Sequence, residues 1–239
     1  MKRFWDQVEV APDVDGWQVL LDGKPVRVPG GAPLAVPGRA LADALADEWQ
    51  QAGGARGGDM SYEDLKLTRL AGTAQERIAP DPEPMVLGIA QYGETDLLCY
   101  RAAEPPALAL RQQQEWQPWL VWAAEHLGAK LQVTTGIIHR PQDPAALAAL
   151  AAAVAAQPPL ALAALGVAVP SLGSLVLGLA LAEGAIDAAG AHRLAQLDEL
   201  YQAELWGHVD DAEDRRAQVA AEIETAGRLI ALSRQTGAE

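Results

Sequence analysis

Near the start of the chain, short runs of hydrophobic residues are separated by turn residues, and the spacing then changes. In GWQVLLDGKPVRVPG (16–30), runs rich in Val and Leu flank Asp22-Gly23, a pair that favours the two-residue turn of a β-hairpin. Pro25 has no N–H to donate to a ladder, so its strand belongs at an edge or a bulge. Residues 3–10 and 33–36 predict two further short strands. In GRALADALADEWQQAGG (38–54), Leu41, Leu45 and Trp49 recur every four residues with Asp43 and Asp47 off the stripe, which predicts an amphipathic helix ended by Gly53. GGARGGDM (53–60) then reads as a loop and a domain boundary.

Beyond that loop, helical periodicity dominates. Leu67, Leu70, Ala71, Ala74 and Ile78 form one face, with Ser61 as a cap three residues ahead of Asp64. Pro82 or Pro84 opens a helix to about Tyr92, and Pro105-Pro106 opens another that Pro118 should kink or divide. DLLCYRA (96–102) and KLQVTTGII (130–138) are short enough to be strands, and helices are expected over 144–156, 160–167, after Ser171, over 187–205 and over 211–233. The pattern predicts an α+β protein: a small N-terminal antiparallel β-rich domain with one helix, residues 1–58, followed by a larger mainly helical domain, residues 59–239.

Charge narrows the partners. With 32 acidic against 18 basic residues the net charge is −14, so nucleic acid and anionic membrane surfaces are poor partners and a basic or apolar protein surface is a better one. Residues 144–182 carry no charge, but Pro170-Ser171 and Gly173-Ser174 interrupt the run and Glu183 follows directly, so buried helices are expected and no integral membrane segment. MKRFWDQVEV lacks the apolar core of a secretory signal, and a single cysteine excludes an internal disulfide framework; both suggest a cytoplasmic, bacterial setting.

Candidate chemistry concentrates in QYGETDLLCYRA (91–102), which holds the lone Cys99 beside two tyrosines, two acids and an arginine. A nucleophilic cysteine needs a base and a lowered pKa, and His126, His139, His192 and His208 sit in no hydrolase motif. Cys99 in the apolar run Leu97-Leu98-Cys99 therefore reads as a buried small residue, the alternative being a thiol hydrolase using Cys99 with His126 or His139. No metal is implied: there is no CxxC or HExxH, and in the calcium-loop-like Asp13-Val14-Asp15-Gly16 the twelfth position falls on Lys24. GGARGG lacks the Lys-Ser/Thr of a phosphate-binding loop, so no cofactor and no ATP-driven step are expected. Trp116, Trp119 and Trp122 read as core packing plus one partly exposed ring, or as an aromatic anchor for a partner. Asp210, Asp211, Glu213 and Asp214 open the last helix, where acids complement its dipole.

In order along the chain, RFW (3–5), GWQVLLDGKPVRVP (16–29), LADEWQQ (45–51), TRLAGTAQERI (68–78), YGETDLLCYRA (92–102), LRQQQEWQPWLVW (110–122), GSLVLGLAL (173–181) and LDELYQAELWG (197–207) form a set that resembles the assembly chaperones of the F-type ATP synthase. Departures are small: Ser61 stands where the family usually has proline, and the family's acid after Trp-Gly falls on Asp210 or Asp211. The resemblance implies a non-enzymatic protein, monomeric when free, that holds the unassembled alpha subunit and shields the surface that later meets beta. On this reading the client-binding candidates are Leu172, Leu175, Val176, Leu179, Trp206, Asp210, Asp211 and Glu213, with core packing the competing account of the four aliphatic residues. A generic adaptor with several partners is the remaining alternative.

Overall fold

The computed structural model describes residues 1–14, 16–207 and 210–235, the side chains of Asp210 and Ala212 excepted. The chain divides into two compact units: the first comprises residues 1–82 with 158–164 and 228–239, the second residues 83–157 and 165–227. Helix makes up 61% and strand 10%, with the antiparallel sheet at the N-terminus, which establishes the α+β class.

In the first unit, β1 (Val8–Asp13) pairs antiparallel with β2 (Gly16–Leu21), and β2 pairs with both β3 (Lys24–Pro25) and β4 (Ala35–Val36). The predicted hairpin is present: Leu21 faces Lys24 across Asp22 and Gly23, whose φ values of 48° and 76° suit the turn that follows the right-handed strand twist. Asp22 Oδ1 also accepts from the amides of Asp6 and Gln7 at 3.0 and 2.9 Å, so one side chain ties the turn to the segment before β1. Pro25 sits on the edge strand, where no ladder N–H is required of it. The expected 3–10 strand starts five residues later, at Val8, because Arg3 and Trp5 serve tertiary contacts instead.

Helix α1 (Arg39–Gln51) packs on β1 and β2 and buries Leu41, Leu45 and Trp49, the predicted stripe. Its C-terminal end is held from a distance. Arg3 Nη1 donates to the carbonyls of Gln50, Ala52 and Gly54 at 2.6–3.2 Å, satisfying acceptors that a helix C-terminus leaves open. Trp5 is fully buried edge-on to Trp49, ring centroids 5.1 Å apart. Glu48 caps α2 (Lys66–Thr73): its carboxylate accepts from the amides of Leu67 and Thr68 at 2.7 and 2.9 Å and from the Thr68 hydroxyl at 2.8 Å, and Trp49 Nε1 donates to the same hydroxyl oxygen at 3.1 Å. Thus RFW, LADEWQQ and the start of TRLAGTAQERI form one interlocked group.

The second unit contains α3 (Glu83–Ala90), the parallel pair β5 (Tyr100–Arg101) and β6 (Thr134–Thr135), α4 (Pro106–His126) and α5 (Pro144–Ala155). It also contains most of α6 (Pro159–Leu172), with α7 (Leu175–Glu183), α8 (Ala188–Ala195), α9 (Leu197–Trp206) and most of α10 (Asp210–Ser233). Helix α7 is buried along its whole length up to Ala182 and meets α4, α5 and α8. Gly178 makes its packing possible, since a Cβ there would lie 2.5 Å from Val169 Cγ2. The uncharged stretch is divided among α5, α6 and α7, and among the described residues no helix is long and apolar enough to cross a membrane.

Three expectations need correction. Pro118 does not divide α4, which continues as one helix with Trp116 and Leu120 buried on either side, while Gln114, whose carbonyl loses its partner, lies on the exposed face. The expected 187–205 helix is two helices that meet at Gln196; His192 and Arg193 close α8 and Asp198 and Glu199 open α9, each pair matching the dipole of its own helix end. The strands expected in 96–102 and 130–138 shrink to two residues each; in the first, Leu97–Cys99 forms a 3-10 turn instead.

Candidate functional site

The segment richest in reactive groups turns inward. Asp96 is fully buried, with Oδ1 accepting from the Leu98 amide at 3.0 Å and the Ser174 hydroxyl at 2.8 Å and Oδ2 from the Val176 amide at 2.9 Å. Leu97 N donates to Gly173 O at 2.9 Å, and the Ser174 hydroxyl accepts from Leu177 N at 3.1 Å, completing the N-terminal cap of α7. Burial pushes the Asp96 carboxyl up to about 6, against the opposing pull of these hydrogen bonds.

Cys99 lies beside this cap at 1% exposure. Burial first, then the Asp96 charge, pushes its thiol up to about 12, so at neutral pH it stays protonated and a poor nucleophile. The proposed bases are engaged elsewhere. His139 Nδ1 lies 3.1 Å from the Tyr100 hydroxyl and Nε2 lies 3.2 Å from Glu94, while His126 stacks on Trp122 at 5.6 Å between ring centroids. His208, together with Asp15 of the calcium-loop-like stretch, lies outside the described residues. The site geometry therefore gives the thiol-hydrolase alternative neither a thiolate nor a base. Among the described residues no group of three His, Cys, Asp or Glu side chains is placed to hold a metal.

Of the client-binding candidates, Leu172, Leu175, Val176 and Leu179 lie in the interior of the second unit with 0–2% exposure. They support α7, and a client meets them only if that interior opens. Trp206 is placed oppositely: it ends α9 at 78% exposure beside Leu205 at 56%. Asp211 and Glu213 are exposed in the first turn of α10, Glu213 lying 3.9 Å from Arg216, while the Asp210 side chain is outside the described residues. The structure thus brings an adjacent apolar pair close in the chain to an acidic helix start.

The edge is held rigidly from behind. Both carboxylate oxygens of Glu204 accept from Arg111 Nη1 of α4, at 2.9 and 2.8 Å, and Arg193 donates to Glu115. Gln112 Nε2 donates to Asp198 at 2.7 Å and the Trp116 indole donates to Leu194 O at 2.9 Å, anchoring α9 and α8 to α4. Trp116 is therefore core, and Trp119 and Trp122 are half-buried, their centroids 6.3 Å apart. Sequence reasoning missed Leu205, exposed in the last turn of α9. It also missed Ile137 and Ile138, adjacent and exposed at 96% and 79% in a loop that reads as a strand by composition.

Adjacent exposed apolar side chains, Leu205-Trp206 and Ile137-Ile138, are the kind of surface through which one protein contacts another. A family model for the ATP12 chaperone protein matches residues 2–124. The crystal structure of Atp12 from Paracoccus denitrificans is 43% identical over 98% of both chains with a TM-score of 0.90. A candidate chaperone from Agrobacterium tumefaciens is 39% identical over 97% of this chain and 85% of its own, with a TM-score of 0.88. The chain belongs to the ATP12 chaperone family, a family of ATP synthase assembly.

Proposed function

We propose that this chaperone binds the unassembled alpha subunit of the F-type ATP synthase, shields its beta-facing apolar surface and yields it to beta during assembly of the catalytic head. The observation that carries the reading is the Leu205-Trp206 pair, apolar and exposed immediately before the acidic start of α10, in a chain of net charge −14. Exposed Trp is the residue type most enriched at interface hot spots, and acids beside it favour a basic rim on the partner. A standard interface of about 800 Å² per partner yields tens of kcal/mol gross at about 25 cal/mol per Å², most of it offset by ordering and association costs. That balance permits capture strong enough to prevent aggregation yet reversible by competition, with no covalent step and no nucleotide.

The test is co-expression with separately produced alpha and beta subunits. Alpha alone is expected to stay soluble and co-purify. Co-purification of beta alone, or of neither, overturns the reading, and recovery of many unrelated proteins would favour a general adaptor.

A further inference from the structure

We propose that the first unit carries a second docking site, a groove that takes an acidic peptide segment of a partner protein. Arg69, Thr73 and Arg77 follow one another at four-residue intervals through α2 and the turn that extends it. In that extension, Ala74–Ile78, the helix widens to i→i+5 bonding, Ala79 N donating to Ala74 O at 2.8 Å. Four-residue steps drift around an ordinary helix; the wider turn takes up the drift and keeps Arg77 on the face that Arg69 and Thr73 share. Between them opens a cavity of about 170 Å³ whose wall is completed by Tyr62, Glu76 and Pro29.

Among the described residues neither guanidinium has an ion-pair or hydrogen-bond partner. One acid, Glu76, lies in the wall and keeps its charge while accepting from the Gly30 amide, so two guanidinium charges face one carboxylate; Gln75 is spent on the same loop, accepting from Ala35 N at 3.0 Å and donating to Pro33 O at 2.8 Å. The groove is thus a locally cationic spot on an acidic molecule, and at physiological salt the remaining charges are screened beyond about 8 Å.

The spacing selects the occupant. Eight helical residues place Arg69 and Arg77 about 12 Å apart along the axis, farther than one phosphate spans. An extended peptide at about 3.3 Å per residue covers that distance with acids roughly four residues apart, each carboxylate meeting one guanidinium fork, while Tyr62 and Pro29 offer apolar contact to the backbone between.

A fluorescein-labelled octapeptide of alternating Ser and Glu, followed by fluorescence anisotropy against the full chain, is the test. Binding that weakens with added salt is expected. At least tenfold loss is expected in Arg69→Gln/Arg77→Gln and in Thr73→Glu, which sets a carboxylate between the arginines, with partial retention in Arg69→Lys/Arg77→Lys. Equal binding by the wild type and the double Gln variant, or equal binding of a peptide carrying Gln for Glu, overturns the proposal. So does inorganic phosphate displacing the peptide at concentrations where sulfate-free chloride salt does not. Peptide binding is read without alpha subunit, so its failure is separate from a failure of client capture; a Trp206→Ser variant should bind the peptide normally.

Discussion

Two stretches of the second unit, both crowded with groups that chemistry can use, are built on opposite plans. Residues 92–102 hold two carboxylates, a thiol and a guanidinium, and Asp96, Cys99 and Arg101 are all buried. The end of α9 and the start of α10 hold only a leucine, a tryptophan and acids, and the apolar side chains face solvent. In the first, polar atoms are inside: Asp96 accepts from the Leu98 and Val176 amides and the Ser174 hydroxyl, and Arg101 donates to the Gln112 carbonyl of α4; in the second, apolar atoms are outside, Leu205 at 56% and Trp206 at 78% exposure. Burying a charged group costs least where hydrogen bonds compensate: Asp96 has three donors around it, whereas Arg101, beyond its bond to Gln112 O, stacks over the Trp116 ring while its Nε and Nη2 lack partners among the described residues. Residue types that carry reactive groups thus serve packing in this unit, while some apolar ones do not.

The largest expected effect breaks the inward side of that contrast. Asp96→Ala leaves the Leu98 and Val176 amides and the Ser174 hydroxyl without their acceptor, and should cost about 3 kcal/mol or more in urea unfolding. The same residue gives a pH signature. Its folded pKa is raised to about 6 from 3.8, so the folded state binds more protons than the unfolded one between those values. Its stabilising contribution is full below the lower value and is lost as pH rises through the upper one. The unfolding free energy of wild type relative to Asp96→Asn should therefore fall between about pH 4 and 7 and level off above.

The outward side should respond in binding alone. Leu205→Ser/Trp206→Ser is expected to weaken alpha-subunit capture by about 2 kcal/mol, the scale of a hot spot, with the unfolding midpoint unchanged, as read by pull-down titration and thermal melts. Loss of stability together with capture would make this pair structural. A smaller effect, about 1 kcal/mol and erased by high salt, is expected from reversing Asp210, Asp211 and Glu213 to Lys, since rim charges steer more than they bind. The smallest concerns the thiol: Cys99→Ala should leave capture unaltered, and Cys99 should react with an alkylating reagent only as fast as the protein opens.

Much of the fold was legible because it follows local rules. The Asp22-Gly23 hairpin, the Leu41-Leu45-Trp49 stripe, the Ser61 cap and the α5 and α7 helices all follow from residue spacing and turn chemistry. The π-turn at Ala74–Ile78 and the unbroken passage of α4 through Pro118 were not legible, since each depends on which neighbours hold the residues on either side. The break at Gln196 did leave a trace, basic residues followed by acidic ones, that helix-end electrostatics could have exposed. At the candidate site, the exposed Trp206 was named from sequence, while its partner Leu205 needed the helix boundary to be seen.

By itself the sequence determined the alternation of elements, the acidic character and the ordered motifs of the family, because periodicity, charge and turn residues act over a few positions. Only the tertiary structure decided that Leu172, Leu175, Val176 and Leu179 are interior while Leu205 and Trp206 are surface. An aliphatic helix looks the same from its own residues whichever way it faces. Its exposure depends on elements distant in the chain: α4, α5 and α8 cover α7, and nothing among the described residues buries the end of α9.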